Sequence, residues 1–222
     1  MANTLFLRLE APLQAWGDKG QWSIRDTALE PTKSGLVGLL ACALGLKEDN
    51  DLRQLSRAIT IAVRCDRPGV TLDDFHTIVG GVVNAQGKIK ADTVISKRAY
   101  LSDASFLVAI HSDKKTIAKF ALALSQPVWP YYLGRKSCPP SRPVLEGCGD
   151  FPDLKTALEM WPIRVQKEDP DLCVRLVSET KPGNGTLRHD ETSINSRRVY
   201  FPRYTQDQTI HPQNQVKEDE CT

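Results

Sequence analysis

The sequence has no CxxC pair among its six cysteines, and no histidine stands at metal-ligand spacing from any of them. That removes zinc ribbons, zinc fingers and dithiol redox motifs. Cys42, Cys65, Cys138, Cys148, Cys173 and Cys221 read as reduced structural thiols, with Cys42 and Cys65 as small buried hydrophobes. No metal or cofactor is expected. No apolar run approaches the roughly 18 residues of a membrane span. MANTLFLRLE lacks the basic region and long apolar stretch of a secretory signal. These absences point to a cytoplasmic protein without a membrane partner. Solenoid-type repeats are lacking too. There is no excess of charge of one sign: 29 Lys+Arg against 27 Asp+Glu leave a net +2. A polyanionic partner would therefore require cations gathered on one face. What is present is ordinary globular material: 222 residues, 41% hydrophobic and 25% charged. That suffices for one large domain or a domain with an appendage.

Leu5 to Leu9 alternates and predicts a half-buried strand. Pro31 to Leu46, PTKSGLVGLLACALGL, predicts a helix: Pro31 keeps its predecessor extended, Thr32 or Ser34 can cap, and an apolar stretch follows. Ile59, Ile61, Val63 and Cys65 alternate as a second strand. Asp73 to Ala99 has too few apolar positions for core and too much length for a connection, so it predicts a protruding hairpin. Ala104 to Ser112 is a buried strand. Asp113 then caps a helix whose Ile117, Phe120, Ala121 and Leu124 form one stripe. Pro127 to Pro143 is an irregular loop with five prolines and three cations. Leu154 to Trp161 predicts a short helix, Leu172 to Val177 a strand, and RRVYFPRY (Arg197 to Tyr204) a basic edge strand, since Pro202 suits only an edge. From Gln206 the chain is polar and predicts a disordered tail. The order β–α–β–hairpin–β–α predicts an α+β, ferredoxin-like or RRM-like unit with an insertion.

Several residues suit a single-stranded nucleic acid. Lys33 and Ser34 lie where free helix-start amides and a cation favour phosphate. Gln14 can bond a base edge, Trp16 can stack on a base or fill the core, and Arg25 can clamp a phosphate or remain a surface charge. Cations on a thin hairpin, among them Lys88, Lys90, Lys97 and Arg98, cannot all be paired internally. Tyr131, Tyr132, Gly134, Arg135, Lys136 and Ser137 form a proline-stiffened loop in which Gly134 permits close approach and Ser137 can bond a phosphate or 2′-OH. Arg197, Arg198 and Arg203, with Tyr200 and Tyr204, make either a basic strand for RNA or a charged edge that deters aggregation.

LRLEAPLQAWG, PTKSGLVGLLACALGL, AVRCD, FHTI, RAYLSDASF and YYLGRKSCPPSRP together resemble the CasD family of the RAMP superfamily. These motifs run in order from Leu5 to Pro143. From Val144 the match is looser, carried by Arg188-His189-Asp190 and Arg197 to Arg203. The resemblance implies a modified ferredoxin-like RAMP fold over residues 1–143, with Asp73 to Ala99 as an inserted β-hairpin thumb, and a smaller C-terminal β-rich region over 144–205. It implies a non-catalytic subunit of type I-E CRISPR Cascade that grips the five-prime handle of crRNA. Such a subunit caps the backbone filament of CasC, helps seat the large subunit CasA and meets target DNA only through the complex. It also makes His76, in FHTI, a handle contact. The alternative is a metal-independent ribonuclease like the type I-C relatives. Of the four histidines, His76, His111, His189 and His211, none has an adjacent lysine as that subtype's site requires.

Overall fold

Strand β1 (Thr4–Glu10) sends Leu5, Leu7 and Leu9 into one apolar cluster and Phe6 into another on the opposite face. It is therefore buried on both sides, not half-buried as its alternation predicts. The computed structural model describes residues 2–18, 20, 24–83, 86–193 and 199–217. Two short strands follow, β2 (Leu13–Gln14) and β3 (Ile24–Arg25), then helices α1 (Lys33–Leu44) and α2 (Asp49–Ala58) and strand β4 (Thr60–Arg67). The hairpin arm consists of β5 (Val70–Ile78), β6 (Val82–Val83), β7 (Ile89–Lys90) and β8 (Val94–Ser102). After it come β9 (Ser105–His111) and α3 (Lys114–Ser125). The last third supplies β10 (Leu145–Gly149), α4 (Leu154–Met160), β11 (Ile163–Val165), β12 (Val174–Thr180), β13 (Thr186–Ser193), β14 (Val199–Ile210) and β15 (Gln215–Lys217).

Seven of these strands form one sheet in the order β10-β1-β9-β4-β12-β14-β13, with every neighbouring pair antiparallel. Helices α1, α2 and α3 cover one face through Leu36, Leu40, Leu52, Leu55, Ile117 and Phe120. On the other, Ala157 and Leu158 of α4 pack on Phe6, Leu107 and Leu176. Trp161 stacks on Phe6 with ring centroids 3.8 Å apart, and Phe151 meets Phe6 edge-on. Helix α1 starts as its sequence predicts, with the Thr32 hydroxyl accepting from the Gly35 amide at 3.3 Å. It ends at Gly45 in the left-handed conformation. Cys65 is buried, and loss of hydration pushes its thiol up to about 11. Cys42 is only half-buried.

The C-terminal region differs from its sequence reading in two respects. Strand β14 is not an edge: it lies between β12 and β13. Pro202 is accommodated because it lies beyond the last β12 pair, Thr180↔Tyr204, and faces the irregularity between Arg188 and Glu191 on β13. Nor are residues 206–217 a disordered tail, and residues 218–222 of that predicted tail lie outside the described residues. Gln206, Asp207, Gln208, Thr209 and Ile210 pair with β12, and β15 pairs in parallel with β11. Local polarity predicts solvation, but a partner strand some thirty residues earlier satisfies this backbone. The C-terminal strands extend the same sheet as the N-terminal ones, because β12 pairs with β4 and β10 with β1.

Candidate nucleic-acid interface

The arm is a second, smaller sheet built around β8. Strand β5 pairs with it continuously from Val70↔Ser102 to Ile78↔Val94, so the hairpin is longer at its root than Asp73 to Ala99. On the other edge of β8 lie β2 and, in parallel, β3. That parallel pairing sets Arg25 beside Arg98 and Ile24 beside Lys97. Across the antiparallel ladder Arg98 meets Asp74, and His76 meets Ser96. Paired residues share a face, so Arg25, Arg98, Asp74 and His76 gather on one side of the arm. The His76 ring lies 4.0 Å from the Asp74 carboxylate. Lys97 falls on the opposite side with Phe75 and Ile24.

The proline-flanked loop closes over the root of the arm. Arg135 donates to the carbonyls of Ala99 (3.0 Å), Arg25 (2.9 Å) and Asp26 (3.2 Å), and its guanidinium lies 4.6 Å from the centroid of Tyr100. Its donors are therefore largely spent on tying β3 to β8, and it acts first as a clamp. Burial would raise the Tyr100 phenol, but hydrogen bonds to Ser137 and Arg135, with the Arg135 charge, draw it below its ordinary value. Gly134 does permit a close approach, but to the chain itself, since the nearest backbone is that of Ala15. Lys136 and Ser137 remain exposed and Tyr132 half-buried beside them.

Three of the other sequence candidates are corrected. Gln14 is fully buried: its amide nitrogen donates to the carbonyls of Leu9 (3.1 Å) and Ala104 (2.8 Å), and its oxygen accepts from the Trp16 indole at 3.1 Å. Trp16 is 1% exposed and lies against Gly35, where a Cβ would come within 2.8 Å of the indole. Both serve the core, because a buried indole N–H and amide must find partners and find each other. Lys33 is also buried. Its ammonium meets Glu179 at 3.0 Å and the Ile59 carbonyl at 3.2 Å. The helix-start amide of Lys33, read above as a phosphate donor, donates instead to the Asp190 carboxylate at 3.0 Å. Ser34 is half-buried, with its hydroxyl 3.4 Å from that of Thr32. Arg197 and Arg198 lie outside the described residues.

An ion network that the sequence did not disclose surrounds the start of α1. Arg203 pairs with Asp190 through two hydrogen bonds, and Glu30 accepts from Arg175 (2.9 Å) and Arg188 (2.6 Å). The bulge in β13 includes Asp190, which turns inward. Burial works against the Asp190 charge, but the Arg203 bonds and charge outweigh it and hold the carboxyl below the ordinary range. Burial dominates at Glu179 and raises it, with Lys33 and Arg203 offsetting only part. Charged residues on alternating strands read as solvent-facing, which is why the sequence hid this cluster. A group with a depressed folded pKa stabilises above its unfolded value, near 4, and loses that contribution as pH falls through the folded one. The Glu179 contribution runs oppositely, since acid relieves it. The difference in thermal midpoint between the native chain and Asp190→Asn should therefore shrink steadily as pH falls from about 5 to about 2. A pH-independent difference would show that Asp190 adds no linked stabilisation.

The model of the family described as CRISPR-associated protein (Cas_Cas5) matches residues 4–213. The chain belongs to the CRISPR-associated Cas5 family. Within it, the chain is 38% identical over 172 residues to the CRISPR system Cascade subunit CasD of Escherichia coli (strain K12), covering 71% of this chain and 76% of that protein. The fold agrees with a solved chain of a CRISPR RNA-guided surveillance complex at a TM-score of 0.80 and 30% identity, covering 96% and 93% of the two chains. A crystal structure of a Cas protein superposes at 0.73 with 33% identity, covering 94% and 95%. The CasD resemblance stated from the sequence is thus shown, and the chain is a type I-E Cas5 protein. Among the described residues, no helix of this Cas5 chain is long and apolar enough to cross a membrane.

Proposed function

We propose that this Cas5 chain is a crRNA-binding subunit of Cascade, and that the arm's cationic face and the proline-flanked loop hold the five-prime handle. The observation that carries the reading is the side-by-side pairing of Arg25 and Arg98 on β3 and β8, with the Arg135 guanidinium bonded to the Arg25 carbonyl. Like charges set directly across a strand pair disfavour the fold. A phosphodiester between them converts that cost into charge-assisted hydrogen bonds. Exposed Lys136 and Ser137 extend the cationic strip, and His76 adds a polar edge beyond it. Splayed handle nucleotides would lie along this strip, with the arm as a wedge that forces a kink.

The finer reading follows the same line. The four strands β10-β1-β9-β4, with α1 and α3 in the crossovers, form a modified ferredoxin-like RAMP unit. The subunit caps the CasC filament, helps seat CasA and meets target DNA through the complex. It works without cleaving RNA. Among the described residues, His76 stands by the Asp74 carboxylate and His111 by the Thr4 hydroxyl, and neither ring is paired with a lysine.

Binding of a handle oligonucleotide should weaken steeply with salt, since each phosphate contact contributes about 0.7 to the logarithmic slope for a single strand. Arg25→Ala and Arg98→Ala should each lower that slope by about one contact. Filter binding over a salt series measures both, and a flat response in the native chain contradicts the reading.

A further inference from the structure

The sheets end on three long or medium edge strands, and two of them are blunted. The ladder of β10 against β1 slips between Phe6 and Leu7, and that of β13 against β14 slips between Arg188 and Glu191. Bulges of this kind deter strand addition. Strand β5 is different. Its nine residues, Val70–Ile78, run in unbroken register with β8, and among the described residues no strand pairs with their other edge. VTLDDFHTI contains no proline and no lysine. The strand is exposed along the face of Phe75 (61%), and at its start on the other face (Val70 72%, Leu72 47%), where Asp74, His76 and Ile78 are half-buried. An antiparallel edge strand turns alternate N–H groups outward, and here nothing described in the chain receives them.

Charge identifies the occupant. The carboxylates on β5 are Asp73 and Asp74, which point to opposite faces. An acidic edge repels a phosphate backbone, whereas Arg25 lies on β3 and Lys97 and Arg98 on β8. We propose that the outer edge of β5 is a protein-docking site that receives an extended segment of a neighbouring subunit by strand addition. That segment carries a lysine or arginine opposite Asp73 and Asp74 and apolar residues toward Val70, Leu72 and Phe75. The arm is then two-sided in use: the face that carries Arg25, Arg98 and His76 takes the handle, and the outer backbone edge of β5 takes protein. The inference rests on the chain working within a Cascade assembly.

The test uses the complex purified through a tag on this chain. Amide-resolved hydrogen exchange on the complex should show all of the β5 amides slowed, the outward alternates included. Fast alternates would overturn the proposal, as would protection that disappears when ribonuclease trims the guide, because RNA would then be the occupant. Asp73→Lys, at an exposed position opposite the neutral Ala99, should lower the recovery of protein neighbours by about tenfold, the effect of turning an attractive cross-strand pair into a repulsive one. Thr71→Lys on the same face should act in the same direction. Neighbours recovered at the native level with both variants would overturn the proposal. Guide RNA, quantified in the same preparations, reports separately on the handle reading: it should be retained by Asp73→Lys and reduced by Arg98→Ala.

Discussion

Arg64→Ala should lower the thermal midpoint by about 10 °C, the shift that about 3–5 kcal/mol produces in a domain of this size. Arg64 is fully buried on β4. Its guanidinium bonds both oxygens of Asp66, at 2.6 and 3.0 Å, and donates to the carbonyls of Leu158, Trp161 (2.6 Å) and Pro162 (2.9 Å). Those carbonyls belong to the last turn of α4 and the residues after it, which no further helical amide can satisfy. Removing the side chain leaves three acceptors without this donor and, among the described residues, an Asp66 carboxylate held by Arg8 alone, at 2.5 Å. Arg64→Lys should recover little, because one ammonium cannot span a carboxylate and three carbonyls. Thermal unfolding of both variants checks this. A shift under about 3 °C for Arg64→Ala, roughly 1 kcal/mol at this size, would mean that solvent substitutes freely for the guanidinium.

Gly134→Ala should cost about 3 kcal/mol or more and weaken handle binding with it. Gly134 sits at φ 89°, a region that an L side chain enters at a cost of about 1–2 kcal/mol. The added Cβ would also come 1.6 Å from the Ala15 carbonyl oxygen and 2.6 Å from its carbon. Backbone cannot yield as a flexible side chain does, so the loop must lift away from β2. That movement breaks the Ala15 amide bond to the Leu133 carbonyl at 3.1 Å and shifts Arg135, whose three carbonyl bonds tie β3 to β8. The expected readout is a lower thermal midpoint together with a lower handle affinity at fixed salt. Native stability in Gly134→Ala would show that the loop moves without resistance. Native affinity with lowered stability would separate the loop from the RNA surface.

The candidate residues divide by the reach of the argument behind them. Hairpin length and composition marked the arm, and its cations Arg25, Lys97 and Arg98 lie on or beside it. Gln14, Trp16 and Lys33 were misplaced for one reason. Each is a residue type that serves a ligand or the interior equally well, and only the neighbours supplied by distant segments choose between them. Lys33 is decided by Glu179 and Asp190, about 150 residues further along. Arg135 was singled out for RNA, but its donors meet the backbone carbonyls of Ala99, Arg25 and Asp26.

Local sequence determined where β1, α1, β4, β9, α3 and α4 form, because periodicity, caps and chain-stiffening residues act within a few positions of one another; β10, β13 and the second half of β14 gave no such local signal. It also carried the ordered motifs that place the chain in the Cas5 family. It did not determine which side of each strand is covered. Alternation in β1 and β4 marks two faces without saying that α4 will close the second, so Arg8 and Arg64 read as solvent-facing when they are interior. Nor could it set the order β12-β14-β13 or the pairing of Arg25 with Arg98. Those contacts join segments tens of residues apart, and their energies depend on mutual burial and charge compensation that exist only once the sheets have assembled.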